Sequence, residues 1–209
     1  MGNYVTVESL AAQLDTSASR IETSGQNIQK LQKQGQEAQQ ALRGHQMAVR
    51  QLRQQAAMLE SQIEQLREML ASIDDADDDS GSAEQLRSQI QAQIAQLQSQ
   101  KYAVESQTRQ EEQQARQAEQ QLQSLLQQVQ GEKSQLVQMR SALVQADQEY
   151  AGLASRHREA QGLFQRIGQY QNKGTSIGAG RSMEQVVQAS RQGQSRVAQL
   201  QQRIEHYLG

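Results

Sequence analysis

The residues with the most chemical potential in this chain are an aspartate run and a glycine run. Asp74, Asp75, Asp77, Asp78 and Asp79 crowd together ahead of Ser80, Gly81 and Ser82. Asp75, Asp77 and Asp79 alternate as the first ligands of a helix–loop–helix calcium loop do, because alternate loop residues turn their carboxylates toward one centre. Such a loop also needs Gly at its sixth position and a bidentate Glu at its twelfth. Here those positions hold Ser80 and Leu86, and Glu84 falls two residues early. The run therefore reads as a solvated turn whose like charges interrupt helix and keep neighbours apart, not as a metal centre.

The second run is Gly174-Thr175-Ser176-Ile177-Gly178-Ala179-Gly180, followed by Arg181 and Ser182. Its end has a phosphate-loop flavour, but the Gly-x4-Gly spacing is missing, no strand precedes it, and Arg replaces Lys. A turn is the reading, with Arg181 beside a helix start. His45, His157 and His206 are scattered, with no His-x3-His pair and no nucleophile–base arrangement. Met1-Gly2-Asn3-Tyr4-Val5-Thr6 meets the minimal myristoylation pattern. It lacks a basic cluster, and a single acyl chain anchors only marginally, so acylation is not expected. No enzyme, no cofactor, no metal and no small-molecule substrate is expected.

What must position these runs is a beat of apolar residues in alternating fours and threes. It falls on Leu10, Leu14, Ile21, Ile28, Leu31, Leu42, Val49, Leu52, Leu59, Ile63, Leu66, Leu70 and Ile73, and resumes at Ile90, Ile94, Leu97 and Val104. It then passes through Leu122, Leu125, Val129, Leu136, Leu143, Tyr150 and Leu153 to Ile167. This spacing keeps one helix seam against a partner, which is the pattern of a coiled coil. The chain has no Pro to break a helix and no Cys to form a disulfide framework. Gln occupies 47 of its 209 positions, mostly between the apolar ones, where it supports helix without charge. Mean hydropathy of −0.84 and 3% aromatic residues argue against a thick globular core.

The two runs divide the beat into three helices: about 7–73, about 83–172 and about 182–207, with an acidic turn over 74–82 and a Gly-rich turn over 174–180. Ser82 with Gln85, and Ser182 with Gln185, match capping boxes that open the second and third helices. The expected fold is all-α: a single elongated domain made of a long antiparallel coiled-coil helical hairpin, with a short third helix folding back at the base. A ninety-residue helix spans roughly 135 Å. Pairing residues whose numbers add to about 160 sets small against large, as with Ala38 on Leu122, Leu42 on Ala118, Gly35 on Leu125 and Leu14 on Ala146. A heptad slip stacks Ala38 on Ala115 and leaves gaps. A parallel homodimer of straight rods would stack Gly35, Ser24 and Ser17 on their own copies. The third helix is expected to cover the second from about 172 back toward 150. The two ends of the chain then meet near Tyr150, among Phe164, Tyr170 and Tyr207. His45, Lys101, Thr108, Glu111, Glu132 and His157 fall on the seam, where polar residues fix register or partner choice.

Charge is uneven. Residues 1–150 hold 13 Lys and Arg against 20 Asp and Glu, whereas residues 151–209 hold 8 against 3. The expected docking residues are Asp74, Asp75, Asp77, Asp78 and Asp79 at the acidic turn, and Arg156, Arg158, Arg181, Arg191 and Arg196 at the basic base. The expected function is a non-enzymatic scaffold for protein–protein assembly, through a protein partner or through self-association along helical surfaces. Nucleic acid is not favoured, because the basic charges are modest and carry no aromatic interleaving. With no signal peptide and no membrane-spanning run, the cytoplasm is the expected location, with export by an unsignalled route left open.

One alternative is a secretion-associated helical hairpin, acting as a substrate, chaperone or stalk. A second comes from helix order: long helix, turn, longer helix, short helix is similar to the phage-shock and ESCRT-III topology. That likeness covers no shared residue motif, and the chain lacks the amphipathic helix expected before the hairpin. It implies a membrane-remodelling role, and membrane contact has no other support in the sequence.

Overall fold

The computed structural model describes residues 6–75, 81–170 and 176–209, without the side chains of 74, 75, 164, 167–170 and 176–182. Three helices account for them: α1 (Val7–Asp75), α2 (Gly81–Tyr170) and α3 (Ser176–Leu208). No strand occurs among the described residues. The all-α expectation, with two long helices packed together and a short third contacting both, is what the structure shows.

The first helix opens on a reciprocal cap. Ser9 N donates to Thr6 Oγ1 at 3.1 Å and Thr6 N donates to Ser9 Oγ at 3.1 Å, while Leu10 N closes the first turn on Thr6 O. These bonds satisfy donors that a helix start otherwise leaves orphaned. α1 runs two residues past the expected end, so Asp74 and Asp75 belong to its last turn; Asp77, Asp78 and Asp79 lie outside the described residues. α2 begins at Gly81, which puts Ser82 inside the helix instead of at its cap. The larger correction is at α3. It begins at Ser176, so Gly178, Gly180 and Ser182 are helical and the Ser182 capping box does not open it. Gly lowers helix propensity by about 1 kcal/mol against Ala, but it does not forbid the helix as Pro does.

The helices pack as two compact units, Gln34–Leu125 and Met1–Lys33 with Leu126–Gly209. In the first, α1 and α2 run antiparallel. Ala38, Val49 and Ile63 of α1 and Ile90, Val104, Ala118 and Leu125 of α2 are buried. The cross-helix pairs His45–Glu111, Glu60–Lys101 and Ile73–Arg87 have residue numbers that add to about 160, the register that small-on-large packing predicts. Within that register Gly35 faces Leu122, 4.0 Å from where a Cβ would stand, instead of Leu125.

In the second unit α3 lies beside both long helices and forms a three-helix core. Leu10, Leu14, Ile21 and Ile28 come from α1. Leu136, Leu143, Ala146, Tyr150 and Leu153 come from α2, and Val197, Leu200 and Ile204 from α3. α3 runs antiparallel to α2, since Tyr150 packs on Gly193 and Arg140 bonds Glu205 at 3.0 Å. It runs parallel to α1, since Arg196 pairs with Asp15 and Arg203 with Glu22. The expectation that the chain ends meet near Tyr150 is therefore corrected. α3 passes Tyr150 and continues until Tyr207 packs on Gly25 and Leu208 O accepts a bond from Lys133 Nζ at 2.8 Å. The first and last helical residues are separated along the bundle by roughly twenty residues of α1, about 30 Å.

Two glycines set this overlap. The ring of Tyr207 occupies the space a Cβ would need at Gly25, and the ring of Tyr150 does the same at Gly193. Elsewhere a helical Gly→Ala change gains up to about 1 kcal/mol of propensity. At these two seats the overpacking cost of about 1–3 kcal/mol exceeds that gain. Gly25→Ala and Gly193→Ala are expected to lower unfolding free energy by about 1–2 kcal/mol. Gly131→Ala, at a position with nothing within 4 Å, should raise it by about 0.5–1 kcal/mol. Urea unfolding of the three variants checks both signs at once.

Burial raises the Tyr150 phenol above its ordinary 10.0, with the Arg196 guanidinium opposing and Asp15 assisting. The folded state thus holds this proton more tightly than the unfolded chain. Its contribution is complete below pH 10 and is lost as pH climbs through the raised value. Stability should fall in that alkaline window, and Tyr150→Phe should flatten the fall. A urea midpoint followed between about pH 9 and 12 reads the difference.

Candidate interaction faces

Polar residues on the seam tie one helix to the next. His45 Nδ1 and Glu111 Oε2 stand 2.7 Å apart, with both side chains less than a third exposed. Lys101 Nζ pairs with Glu60 across the seam and lies 3.7 Å from Glu105 on its own helix. Asn27 Nδ2 donates to Glu132 Oε1 at 3.0 Å, and Arg53 to Glu112 at 2.7 Å. Of the six polar seam residues, His45, Lys101, Glu111 and Glu132 thus cross between helices. Thr108 and His157 instead bond the carbonyls of Val104 and Leu153, one turn back on their own helix.

The basic residues expected to dock partners are dispersed. Arg156 is exposed and its Nε donates to Gly152 O at 3.3 Å. Arg158 and Arg191 are exposed. Arg181 lies in α3 and its side chain is outside the description. Arg196 is engaged inside the chain, where its pairing with Asp15 ties α3 to α1. The acidic side chains expected to dock partners are likewise outside the description.

A groove of 680 Å³ between α1 and α2 is lined by Thr16, Ser17, Arg20, Ser24, Glu132 and Met139, among others. Thr16 and Thr23 turn their hydroxyls back onto Ala12 O and Ser19 O, so the lining is largely satisfied from within. No group of three or more His, Cys, Asp or Glu gathers to hold a metal among the described residues. No described helix is long and apolar enough to cross a membrane.

Sequence reasoning read lengthwise stripes of Gln and Ala as room for further helices to pack alongside, but it named no residues of the outward faces. Met47, Met58 and Met69 are 61%, 61% and 50% exposed. Their spacing of eleven residues returns them to nearly the same side of α1, because three helical turns take about 10.8 residues. Between and around them on that side stand Gly44, Gln51, Gln54, Gln55, Ser61, Gln62, Gln65 and Ser72, all exposed and all uncharged. On α2, Leu126, Val137 and Val144 share another exposed side. The cue in the sequence was an absence of charge at helical spacing, which an apolar-periodicity reading does not register. Comparison with protein-family models, with curated proteins and with solved structures gives no match to this chain.

His45 and Glu111 should be coupled energetically, since each is partly shielded from water and supplies the other's partner. A double-mutant cycle with His45→Ala and Glu111→Ala is expected to give a coupling of about 0.5–1 kcal/mol. An additive pair of single-variant effects would count against the cross-helix tie.

Proposed function

We propose that the chain is a non-enzymatic helical scaffold that assembles with protein partners along exposed helix faces. The observation that carries this reading is the methionine face of α1. Buried centres of protein interfaces are depleted in charge and enriched in Met, whereas the solvated side of a helix normally mixes charges. Here twelve outward positions from Gln40 to Ser72 hold three Met, eight Gln and Ser residues and one Gly, and no charge along the centre of the face. Methionine suits helical partners of varied shape, because its unbranched thioether chain fills irregular gaps. Gln adds amides that bond laterally without repelling either sign of charge.

The polar ties described above serve the same reading. They hold α1 against α2 in one register, so the outward face is presented as a fixed surface. The partner that fits is an amphipathic helix with its own uncharged stripe, laid along the Met line in the helix-in-groove manner.

Crosslinking mass spectrometry of the full chain in native extract tests this. Photo-methionine incorporated in place of Met should capture protein partners at Met47, Met58 and Met69. Met58→Lys with Met69→Lys should abolish capture while leaving helicity intact. A chain whose photoproducts are all internal, and which migrates as a free monomer in extract, would overturn the reading.

A further inference from the structure

We propose that the outer face of α2 in the three-helix unit is a second helix seam, and that it takes a second copy of this chain, antiparallel, about a two-fold axis between Val137 and Ser141. This deepens the scaffold reading and rests on it, since it treats an uncharged outward face as a docking face. Gln130, Ser134, Val137, Ser141, Val144, Gln148, Ala151 and Ser155 follow one another in steps of four and three. All eight are exposed. Steps of four and three are the spacing that keeps one side of a helix against another helix. This line lies on the side of α2 turned away from the buried one that α1 already covers, so α2 carries two seams and the chain itself fills one.

The serines are prepared for burial. Ser134 Oγ donates to Gln130 O at 2.9 Å and Ser141 Oγ to Val137 O at 3.4 Å. Their hydroxyls are satisfied by their own helix, so a covering helix strips little hydrogen bonding from them. They then act as small residues that admit a larger one opposite.

Self-complementarity names the occupant. With the axis between Val137 and Ser141, Val137 meets the second copy's Ser141 and Val144 meets the second copy's Ser134, with both contacts repeated by symmetry. Gln130 meets the second copy's Gln148, amide to amide. Every valine thus finds a small residue, the same rule that sets the α1–α2 register. A shift of one heptad puts Val137 on the second copy's Gln148 and loses that match. Charges agree with the chosen register. The flank toward α3 carries Lys133, Arg140 and Asp147, and in an antiparallel pair like flanks face each other. Lys133 then faces the second copy's Asp147, twice, with one of its three ammonium protons already donated to Leu208 O at 2.8 Å. Arg140 faces its own copy, and each Arg140 is already paired with Glu205 at 3.0 Å. The other flank is Gly131, Gln138, Gln145 and Gly152, uncharged, with nothing within 4 Å of a Cβ at either glycine.

The full chain tests this by mass and by contact. Light scattering of the 23.4 kDa chain at up to hundreds of micromolar should give twice that mass. Val137→Asp with Val144→Asp, both at exposed positions, should return the single-chain mass with helicity and melting unchanged. The chain has no native Cys, so Gln138→Cys reports register directly. Gln135 and Gln138 both border the α1–α2 groove, but Gln138 lies nearer the axis and the proposed face; Gln138→Cys should link to its own copy through a short bismaleimide, whereas Gln135→Cys, farther round toward α1 and farther from the axis, should not. A monomeric wild type, an unchanged mass in the Asp variant, or linkage at Gln135 in place of Gln138 would each overturn the proposal. If the mass is unchanged in the Asp variant but falls in the Met58→Lys, Met69→Lys variant, this face is wrong and the scaffold reading stands. A monomeric wild type that also captures no protein in extract removes both.

Discussion

Everything in this chain depends on a bulky side chain finding a slim one on the facing helix. Leu, Ile and Val fill most of the core, and at key places such as Leu122 on Gly35 and Tyr207 on Gly25 a bulky residue meets a slim one, since interiors tolerate neither gaps nor surplus volume. The two tyrosine seats carry this furthest. A heptad beat alone permits α3 to slide by seven residues, because every apolar position would meet another. Sliding would put Tyr207 against Ala18 or Gln32 in place of Gly25, and Tyr150 against Val186 or Leu200 in place of Gly193. Neither ring has room at such positions, so two glycines select one alignment from several that hydrophobicity treats alike.

The polar contacts are secondary in energy and reinforce the register that residue size selects. Ion pairs such as Arg203–Glu22 and Arg140–Glu205 are well exposed, and such pairs contribute about 0–1 kcal/mol each. Burial of a single Leu or Ile contributes about 1.5–3 kcal/mol. A heptad slip that leaves gaps in the seam also separates His45 from Glu111 and Asn27 from Glu132, so both terms oppose it. Ser190 sets a limit on how well α3 is fitted. Its hydroxyl is buried with no hydrogen-bond partner among the described residues, a cost of about 1–3 kcal/mol that burial of Val197, Leu200 and Ile204 farther along the same helix must outweigh.

Helix number, hairpin direction and the α1–α2 register were legible because they follow from periodicity and from residue size, both local properties of a sequence. The Thr6–Ser9 cap was not read from the sequence, because its Ser stands where Glu or Gln is the usual signal. The extent of α3 was not legible. Gly178 and Gly180 read as a turn, while Gly25 and Gly193 looked like neutral helix positions. The difference lies in what stands opposite each glycine, which no local window contains. The outward faces were read only as general stripes of Gln and Ala, without their residues, for a related reason. A search for apolar beats counts what is present, and these faces are marked by the charge that is absent around a few Met or Val residues.

The abundance of Gln fits this last point physically. A helix can be kept hydrated by Lys and Glu or by Gln, and the three have similar helix propensity. Charges at the centre of a face would have to be stripped of water or paired before another helix could lie there, at several kcal/mol when pairing fails. An amide keeps its hydration in the free chain and exchanges it for amide–amide bonds in a contact, at far lower cost. Placing Gln and backbone-satisfied Ser along the middle of α1 and α2, and charges such as Lys133 and Asp147 at the flank, gives faces that stay hydrated in the free chain. The same composition is what the proposed contacts with a further helix would require, because such a face could be covered without stripping water from a charge.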